Sequence, residues 1–157
     1  MFSPATQPLE RGLYHYILEL ETRRAVRYAH FFSLCHISLD QDYDGDHTIL
    51  STVTDILRET IRETDIIGLL NERTFSVLLH DAEIQNAYMV AERIRNRIAD
   101  HNFVSGNNYY RTTASIGIVC FPTHGNDTTT LLLRAGELLT AAQCQGGNTT
   151  TVPDQQP

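Results

Sequence analysis

Two short apolar segments separated by three polar residues constrain the fold of this chain more than any other feature. Residues 66–70 and 74–79 are rich in Ile, Val and Leu, and the three residues Asn71 to Arg73 lie between them. Two such segments joined by a short polar connection predict a β-hairpin, although this connection lacks the glycine that favours tight hairpin turns. A hairpin is stable only when one face is covered, so we expect the flanking segments to pack against it.

Helical and strand patterns alternate on both sides of this hairpin. Apolar residues recur at helical spacing in four segments, namely 9–29, 49–61, 84–98 and 131–143. Further strands are predicted at 31–39, 111–121 and, at an edge, 148–152. The order α-β-α-β-β-α-β-α-β favours an α+β fold, in which helices cover one mixed, mostly antiparallel five-stranded sheet.

The length and composition fit a single globular domain. The chain has 157 residues, of which 41% are hydrophobic and 20% charged, enough for one sizeable core. We expect the domain to span residues 9–152, with a flexible segment at 1–8 and a disordered tail at 153–157. The first eight residues lack the basic and apolar regions of a secretory signal.

Charge and cysteine content narrow the classes of partner and compartment. A net charge of −7 argues against nucleic-acid binding and against general binding to anionic membranes. No apolar run approaches the ~20 residues that span a bilayer, so we expect no direct membrane insertion. The three cysteines match neither a disulfide framework nor a zinc site. These features predict a cytoplasmic protein, or the cytoplasmic part of a larger or membrane-associated one.

The sequence gives little support for a metal site. The seven histidines are scattered without metal-ligand spacing. The acidic stretch from Asp40 to Asp46 resembles the start of a calcium-binding loop, but Ser51 stands where the characteristic glutamate is needed. We therefore predict no metal site and interpret the acidic stretch as a solvated loop; calcium binding is the alternative.

A charged pair precedes the hairpin. Arg62 and Asp65 are three residues apart at the predicted end of the second helix, where both side chains would lie on one face. Such a pair can be a simple surface ion pair, worth ~0.3–0.5 kcal/mol. It can also bind a ligand, because an arginine fork recognises a phosphate or a guanine edge and a carboxylate accepts from guanine donors.

The spacing of these features resembles a known bacterial signalling family. Arg62-Glu-Thr-Asp65 precedes Asn71-Glu-Arg-Thr-Phe75 by five residues. This arrangement is similar to the Arg-x-x-Asp inhibitory site and the Gly-Gly-(Asp/Glu)-Glu-Phe signature of GGDEF domains, the diguanylate cyclases. Further stretches resemble the family in the same order: Gly12 to Tyr14, Arg24 to Tyr28, Phe32 to Asp42, Thr113 to Ile118 and Leu133 to Asn148.

The resemblance implies a catalytic site that this chain has lost. The family condenses two GTP molecules with divalent cations, held by carboxylates of the first strand and the signature hairpin. Asp40 matches the first-strand carboxylate, but the hairpin positions are Arg73 and Thr74. A guanidinium cannot ligate a cation. The signature glycines are replaced by Asn71 and Glu72, whose side chains would crowd a nucleotide.

Other positions also lack the ligand-binding residues of the family. His47 stands where the family has a guanine-reading aspartate, and Gln143 and Gly147 replace the phosphate-binding lysine and arginine. The chain is therefore identified as a degenerate member of the family that is not an enzyme and needs no cofactor.

The inhibitory site is retained, and the resemblance implies its ligand. In the family a second arginine on the following helix joins the Arg-x-x-Asp pair, and the matching position here is Arg93. We therefore expect Arg62, Asp65 and Arg93 to bind cyclic di-GMP and to signal its presence to a partner protein or a neighbouring domain. Because the ligand has two equivalent halves, it could also bridge two sites in a homodimer.

Three alternatives remain open at this point. The chain could be a protein-interaction scaffold that binds no nucleotide, a residual cyclase that depends on Asp40, or a protein that binds GTP without turnover. The last is disfavoured by the missing phosphate contacts.

Overall fold

The computed structural model describes residues 7–41 and 47–154. Within these residues the helices are α1 (Arg11–Tyr28), α2 (His47–Thr60), α3 (Ile84–Asp100) and α4 (Thr128–Cys144). The strands are β1 (Phe32–Leu39), β2 (Ile66–Leu69), β3 (Thr74–His80), β4 (Phe103–Ser105), β5 (Asn108–Tyr110), β6 (Ala114–Phe121) and β7 (Thr150–Thr151).

The main sheet has five strands in the order β2-β3-β1-β6-β7. The central strand β1 pairs antiparallel with both β3 and β6, and only β7 joins in parallel. All eight residues of β1 are buried, as expected for a strand between two covered faces. The predicted α+β fold with a mixed, mostly antiparallel five-stranded sheet is confirmed.

A second, two-stranded sheet was not predicted. Strands β4 and β5 form a small hairpin between α3 and β6, and the predicted strand at 111–121 begins only at Ala114. Of its six strand residues only Phe103 is fully buried. The sequence therefore shows no sustained alternation of apolar and polar residues from which these strands could be predicted.

Two apolar layers enclose the main sheet. Side chains alternate along β1, so that Cys35 and Ile37 join the core beneath α2 and α3, while Leu34 joins the core beneath α1 and α4. A glycine determines how closely α4 approaches, because a Cβ added to Gly117 of β6 would lie 2.4 Å from the backbone nitrogen of Leu139. The helix therefore rests directly on the backbone of β6.

Both ends of the described chain contact the domain. Leu9 bridges to the β2 edge: its amide donates to the Ile67 carbonyl, and its carbonyl accepts from the Leu69 amide, each at 2.9 Å. At the other end Pro153 is buried. Most of the predicted flexible segment (1–6) and of the predicted tail (155–157) lies outside the described residues. None of the described helices is both long enough and apolar enough to cross a membrane.

Candidate functional site

The Arg-x-x-Asp residues form a turn and not the end of a helix. Helix α2 ends at Thr60, and the amide of Asp65 donates to the Arg62 carbonyl at 3.0 Å. The Asp65 carboxylate turns back and accepts from the Arg62 amide, also at 3.0 Å. The expectation of a pair on one helical face is therefore wrong: the carboxylate competes for backbone donors and closes a turn instead.

Asp65 is a buried structural residue in this turn. Its exposure is 5%, and its second carboxylate oxygen accepts from the His80 amide at 3.0 Å. The Arg58 guanidinium donates to the Asp65 carbonyl at 3.3 Å. Both carboxylate oxygens thus accept backbone N–H groups, which fixes the segment after α2 to the end of β3 and satisfies a buried charge.

The two arginines of the predicted site have exposed side chains. Arg62 lies on the turn and Arg93 on α3. Their neighbours on α3 are engaged elsewhere. Arg95 forms an ion pair with Glu92 at 2.6 Å, which lowers the pKa of that carboxyl, and Arg97 pairs with Glu59 of α2. The side chain of Arg95 is only 18% exposed.

A histidine that the sequence did not single out joins the turn to α1. The His80 ring lies between two carboxylates, with Nε2 at 3.2 Å from Glu21 Oε2 and Nδ1 at 3.6 Å from Asp65 Oδ1. A cleft of about 390 Å³ beside this contact is lined in part by Thr64, Ile66 and His80. Nothing in the local sequence pairs residues 21, 65 and 80, which are distant along the chain and meet only through the fold.

The signature hairpin is closed by a side chain and not by glycine. The amide oxygen of Asn71 accepts from the backbone nitrogens of Arg73 at 2.8 Å and Thr74 at 2.9 Å. An asparagine that mimics a backbone turn in this way explains how the hairpin forms without glycine. The predicted hairpin is confirmed, and Thr74 pairs with Ser38 of β1.

Asp40, at the end of β1, is embedded in hydrogen bonds. Its carboxylate accepts from the hydroxyls of Thr113 and Ser115, each at 2.5 Å, and from the Asn148 amide at 2.8 Å. A Cβ added to Gly147 would lie 2.8 Å from the same carboxylate. Asp40 therefore holds together the ends of β1 and β6 and the segment after α4.

Metal-ligating residues do not cluster in the part of the chain that the structure describes. Within residues 7–41 and 47–154, no three His, Cys, Asp or Glu side chains are placed to hold a metal ion. The carboxylates at 42, 44 and 46, on which the calcium alternative rests, lie outside the described residues. The free thiols of Cys35 and Cys120 are buried and that of Cys144 is exposed.

Comparisons with known proteins agree with this architecture. The family model described as "Diguanylate cyclase, GGDEF domain" matches residues 43–149. Among curated proteins, the uncharacterized protein YhcK of Bacillus subtilis is 30% identical over 129 residues, which are 76% of this chain and 36% of that protein. The present chain thus spans about a third of the length of this relative.

Solved structures show the same fold. The GGDEF domain of YfiN (TpbB) from Pseudomonas aeruginosa superposes with a TM-score of 0.86 at 21% identity, covering 98% of this chain and 95% of that one. The GGDEF domain of DgcB from Caulobacter crescentus, solved in complex with c-di-GMP, gives 0.83 at 15% identity, with coverages of 96% and 94%. The five-stranded sheet, its two helical layers and the family match over most of the chain lead to one conclusion: this protein belongs to the GGDEF family of diguanylate cyclase-type domains.

Proposed function

We propose that this chain is a catalytically inactive GGDEF domain that binds cyclic di-GMP through Arg62, Asp65 and Arg93. The observation that carries the proposal is the turn at 62–65. Two backbone bonds to the Asp65 carboxylate fix the turn while the Arg62 side chain stays exposed. Because the backbone of the turn is already fixed, ligand binding would not have to order it, and the cost is limited to the Arg62 side chain.

The packing of α3 on α2 supports the inclusion of Arg93. Because β1 and β3 are antiparallel and each is followed by a helix that returns along the sheet, α2 and α3 run in opposite directions. Arg97 of α3 donates to the Thr60 hydroxyl at 3.0 Å, at the last residue of α2. Arg93 lies four residues earlier on α3, about 6 Å along the axis, which is the direction in which the chain continues to Arg62.

The roles of the three residues follow from their burial. The exposed forks of Arg62 and Arg93 suit phosphate oxygens or the O6 and N7 edge of guanine. Asp65, which is 5% exposed, acts mainly by positioning Arg62 and keeps lone pairs for a guanine N–H donor at its edge. In an acidic chain of net charge −7, these arginines provide the local positive charge that a dianionic ligand needs.

The proposal of inactivity rests on Asp40 and the hairpin. A Mg²⁺ ion needs carboxylate and phosphate oxygens in near-octahedral geometry, but the Asp40 carboxylate already accepts three hydrogen bonds. Thr74, which stands at a signature carboxylate position and lies opposite Ser38 of β1, has a neutral hydroxyl in place of the second carboxylate. These residues do not fit the divalent cation that the family's reaction uses.

Calorimetric titration with cyclic di-GMP tests the receptor function. The purified chain should bind with micromolar or tighter affinity, and Arg62→Ala should lose at least 100-fold, since a charge-assisted bidentate contact contributes about 3 kcal/mol. Arg23→Ala is the matched control, because Arg23 is an exposed arginine of α1 far along the chain from the site. Normal binding by Arg62→Ala would show that the site is assigned wrongly.

A second titration separates charge from geometry. Arg62→Lys keeps the positive charge but cannot form a fork, so its affinity should lie near that of the alanine variant. A lysine variant with full affinity would mean that Arg62 acts only as a point charge.

A protein-interaction scaffold is the second candidate, and the outer face of α1 favours it. Leu13, Tyr16 and Leu20 follow helical spacing and are 45%, 61% and 44% exposed. A pull-down with and without cyclic di-GMP distinguishes the two functions. Capture that needs the ligand supports the receptor, whereas tight capture without any nucleotide affinity supports the scaffold.

Two further experiments test catalytic inactivity and oligomeric state. Incubation with GTP and Mg²⁺ or Mn²⁺ should yield no cyclic product; an Asp40-dependent product would overturn the assignment of inactivity. Sedimentation with saturating cyclic di-GMP would reveal a homodimer bridged by the two-fold ligand. We further propose a cytoplasmic location, in which the domain signals to a partner protein or a neighbouring domain.

A further inference from the structure

A cleft between α1, α4 and the hairpin turn is distinct from the cyclic di-GMP site. We call it the α1–α4 cleft; it has a volume of about 460 Å³ and is lined by Arg11, Tyr14, His15, His36, Leu70, Asn71, Thr74, Thr129, Leu132, Gly136 and Leu139. We propose that this cleft binds a small organic anion that carries a single charged group on an apolar body.

The charge of the lining is the first argument. The protein is acidic overall, and three other clefts in the described residues each include carboxylates, for example Glu21, Glu83 and Asp127. No aspartate or glutamate is among the described residues that line the α1–α4 cleft, which instead includes Arg11 and His15. A locally positive cleft in a negative protein attracts anions.

Two carboxylates that lie close to Arg11 and His15 along the chain have partners on α1. The Glu10 carboxylate caps α1 by accepting from the Leu13 amide at 2.5 Å, and Glu19 lies 3.9 Å from His15 further along the helix. Arg11 is thus the one permanently charged side chain among the described lining residues. One guanidinium suits a single carboxylate or phosphomonoester and not a polyphosphate.

A buried polar atom without a hydrogen-bond partner also lines this cleft. His36 is 3% exposed, and its Nε2 has no hydrogen-bond partner. A buried polar group without a partner costs about 1–3 kcal/mol and is found where a ligand or water supplies one. Burial lowers the pKa of this imidazole to about 4, so the ring is neutral at pH 7 and suits a neutral donor or acceptor of a ligand.

The apolar side chains that line the cleft are the reason for proposing a ligand with an apolar body. Leu132 and Leu139 of α4 and Leu70 at the hairpin line the cleft with the Tyr14 ring, whose hydroxyl is already bonded to Ser76 at 2.7 Å. Gly136 adds space between the two leucines of α4, because a Cβ there would meet no atom within 4 Å. The cleft therefore combines apolar walls with one cation and one unpaired imidazole nitrogen, as small-molecule sites do.

Protein-observed NMR with phenyl phosphate tests this site. Phenyl phosphate joins an aromatic body to one phosphomonoester, and a probe of this size should bind with a Kd of about 1 mM. We expect shifts confined to the cleft, including the His36 ring nitrogens, and at least ten-fold weaker binding of inorganic phosphate and of benzyl alcohol. Equal binding of inorganic phosphate, or shifts elsewhere only, would overturn the proposal.

Two variants at one position give a matched pair. A helical side chain covers the turn that precedes it, so the leucine of Gly136→Leu would extend toward Leu132 and fill the cleft; phenyl phosphate binding should disappear. Gly136→Ala adds one methyl group in open space and should bind within three-fold of the wild type. Unchanged binding by Gly136→Leu would show that the probe binds outside the cleft.

A third variant tests the imidazole. His36→Leu keeps an apolar, buried side chain and should weaken phenyl phosphate binding by about five-fold, the value of one hydrogen bond; unchanged affinity would exclude His36 as a ligand contact. All three variants leave Arg62, Asp65 and Arg93 intact. Cyclic di-GMP affinity therefore reports the receptor function separately from this site.

Discussion

At the scale of single residues, Asp65 shows how one side chain can be both a motif residue and a structural one. The sequence places it three residues from Arg62, which suggests a shared ligand, whereas the folded chain uses its carboxylate for two backbone amides. A carboxylate with such donors within reach accepts them before it accepts a ligand, since an unpaired buried amide is costly. The motif is therefore also required for the shape of the turn.

Substitution of Asp65 by asparagine separates these roles. Asp65→Asn keeps the size but places an NH₂ group against one of the two amide donors, so the free energy of unfolding should fall by about 1–3 kcal/mol. Urea denaturation measures this loss. Arg62→Ala, which removes an exposed side chain, should change stability by less than about 0.5 kcal/mol; equal losses in the two variants would argue against a structural role for Asp65.

Because of His36, the free energy of unfolding should fall as the pH is lowered. Its folded-state pKa of about 4 lies below the ordinary value of about 6.5, so protonation favours the unfolded chain. The stability that depends on the neutral ring is complete above pH 6.5 and is lost as the pH falls toward 4. Between pH 7 and pH 5 the wild type should lose about 2 kcal/mol more than His36→Leu. Parallel pH dependences in urea denaturation would contradict this.

At the scale of elements, a glycine beneath α4 and a glycine within α4 have opposite effects on the stability of the fold. Gly117 lies under the helix, where an added Cβ would be 2.4 Å from the Leu139 nitrogen, whereas Gly136 lies within the helix beside open space. The sequence alone does not distinguish them, because both are single glycines inside regular elements. Only the packing of α4 on β6 shows that the first permits close approach and the second weakens a helix.

A pair of alanine substitutions tests this difference. Gly136→Ala should raise the free energy of unfolding by about 0.5–1 kcal/mol, because alanine favours the helix and restricts the unfolded chain. Gly117→Ala should lower it by about 1–3 kcal/mol, because the methyl group pushes α4 from the sheet. Thermal or urea unfolding of both variants is sufficient. Changes of the same sign would mean that α4 does not rest on Gly117 as described.

At the scale of the whole molecule, the sequence predicts the fold well and the site only in part. Long periodic segments such as 84–98 and the apolar pair at 66–70 and 74–79 identify the main elements, because their burial follows one repeating pattern. The predicted inhibitory residues depend on contacts between distant segments, which no local pattern encodes. The links of Asp65 to His80 and of His80 to Glu21 arise only when β3 and α1 meet.

Ligand-linked stability distinguishes the two candidate functions for the intact chain. A ligand that binds only the folded state stabilises it by RT ln(1 + [L]/Kd), about 2.7 kcal/mol at 100 times the Kd. Cyclic di-GMP at that concentration should therefore raise the Tm of the wild type and of Arg23→Ala equally, by about 8 °C for a domain of this size. Arg62→Ala should melt at the same temperature with and without it. GTP at the same concentration should leave the wild-type Tm unchanged. The Asp40 carboxylate already accepts three hydrogen bonds, and the neutral hydroxyl of Thr74 stands where the hairpin would need a carboxylate for the metal-bound triphosphate. A wild-type Tm that cyclic di-GMP does not move would exclude the receptor and leave the apolar face of α1 as the functional surface.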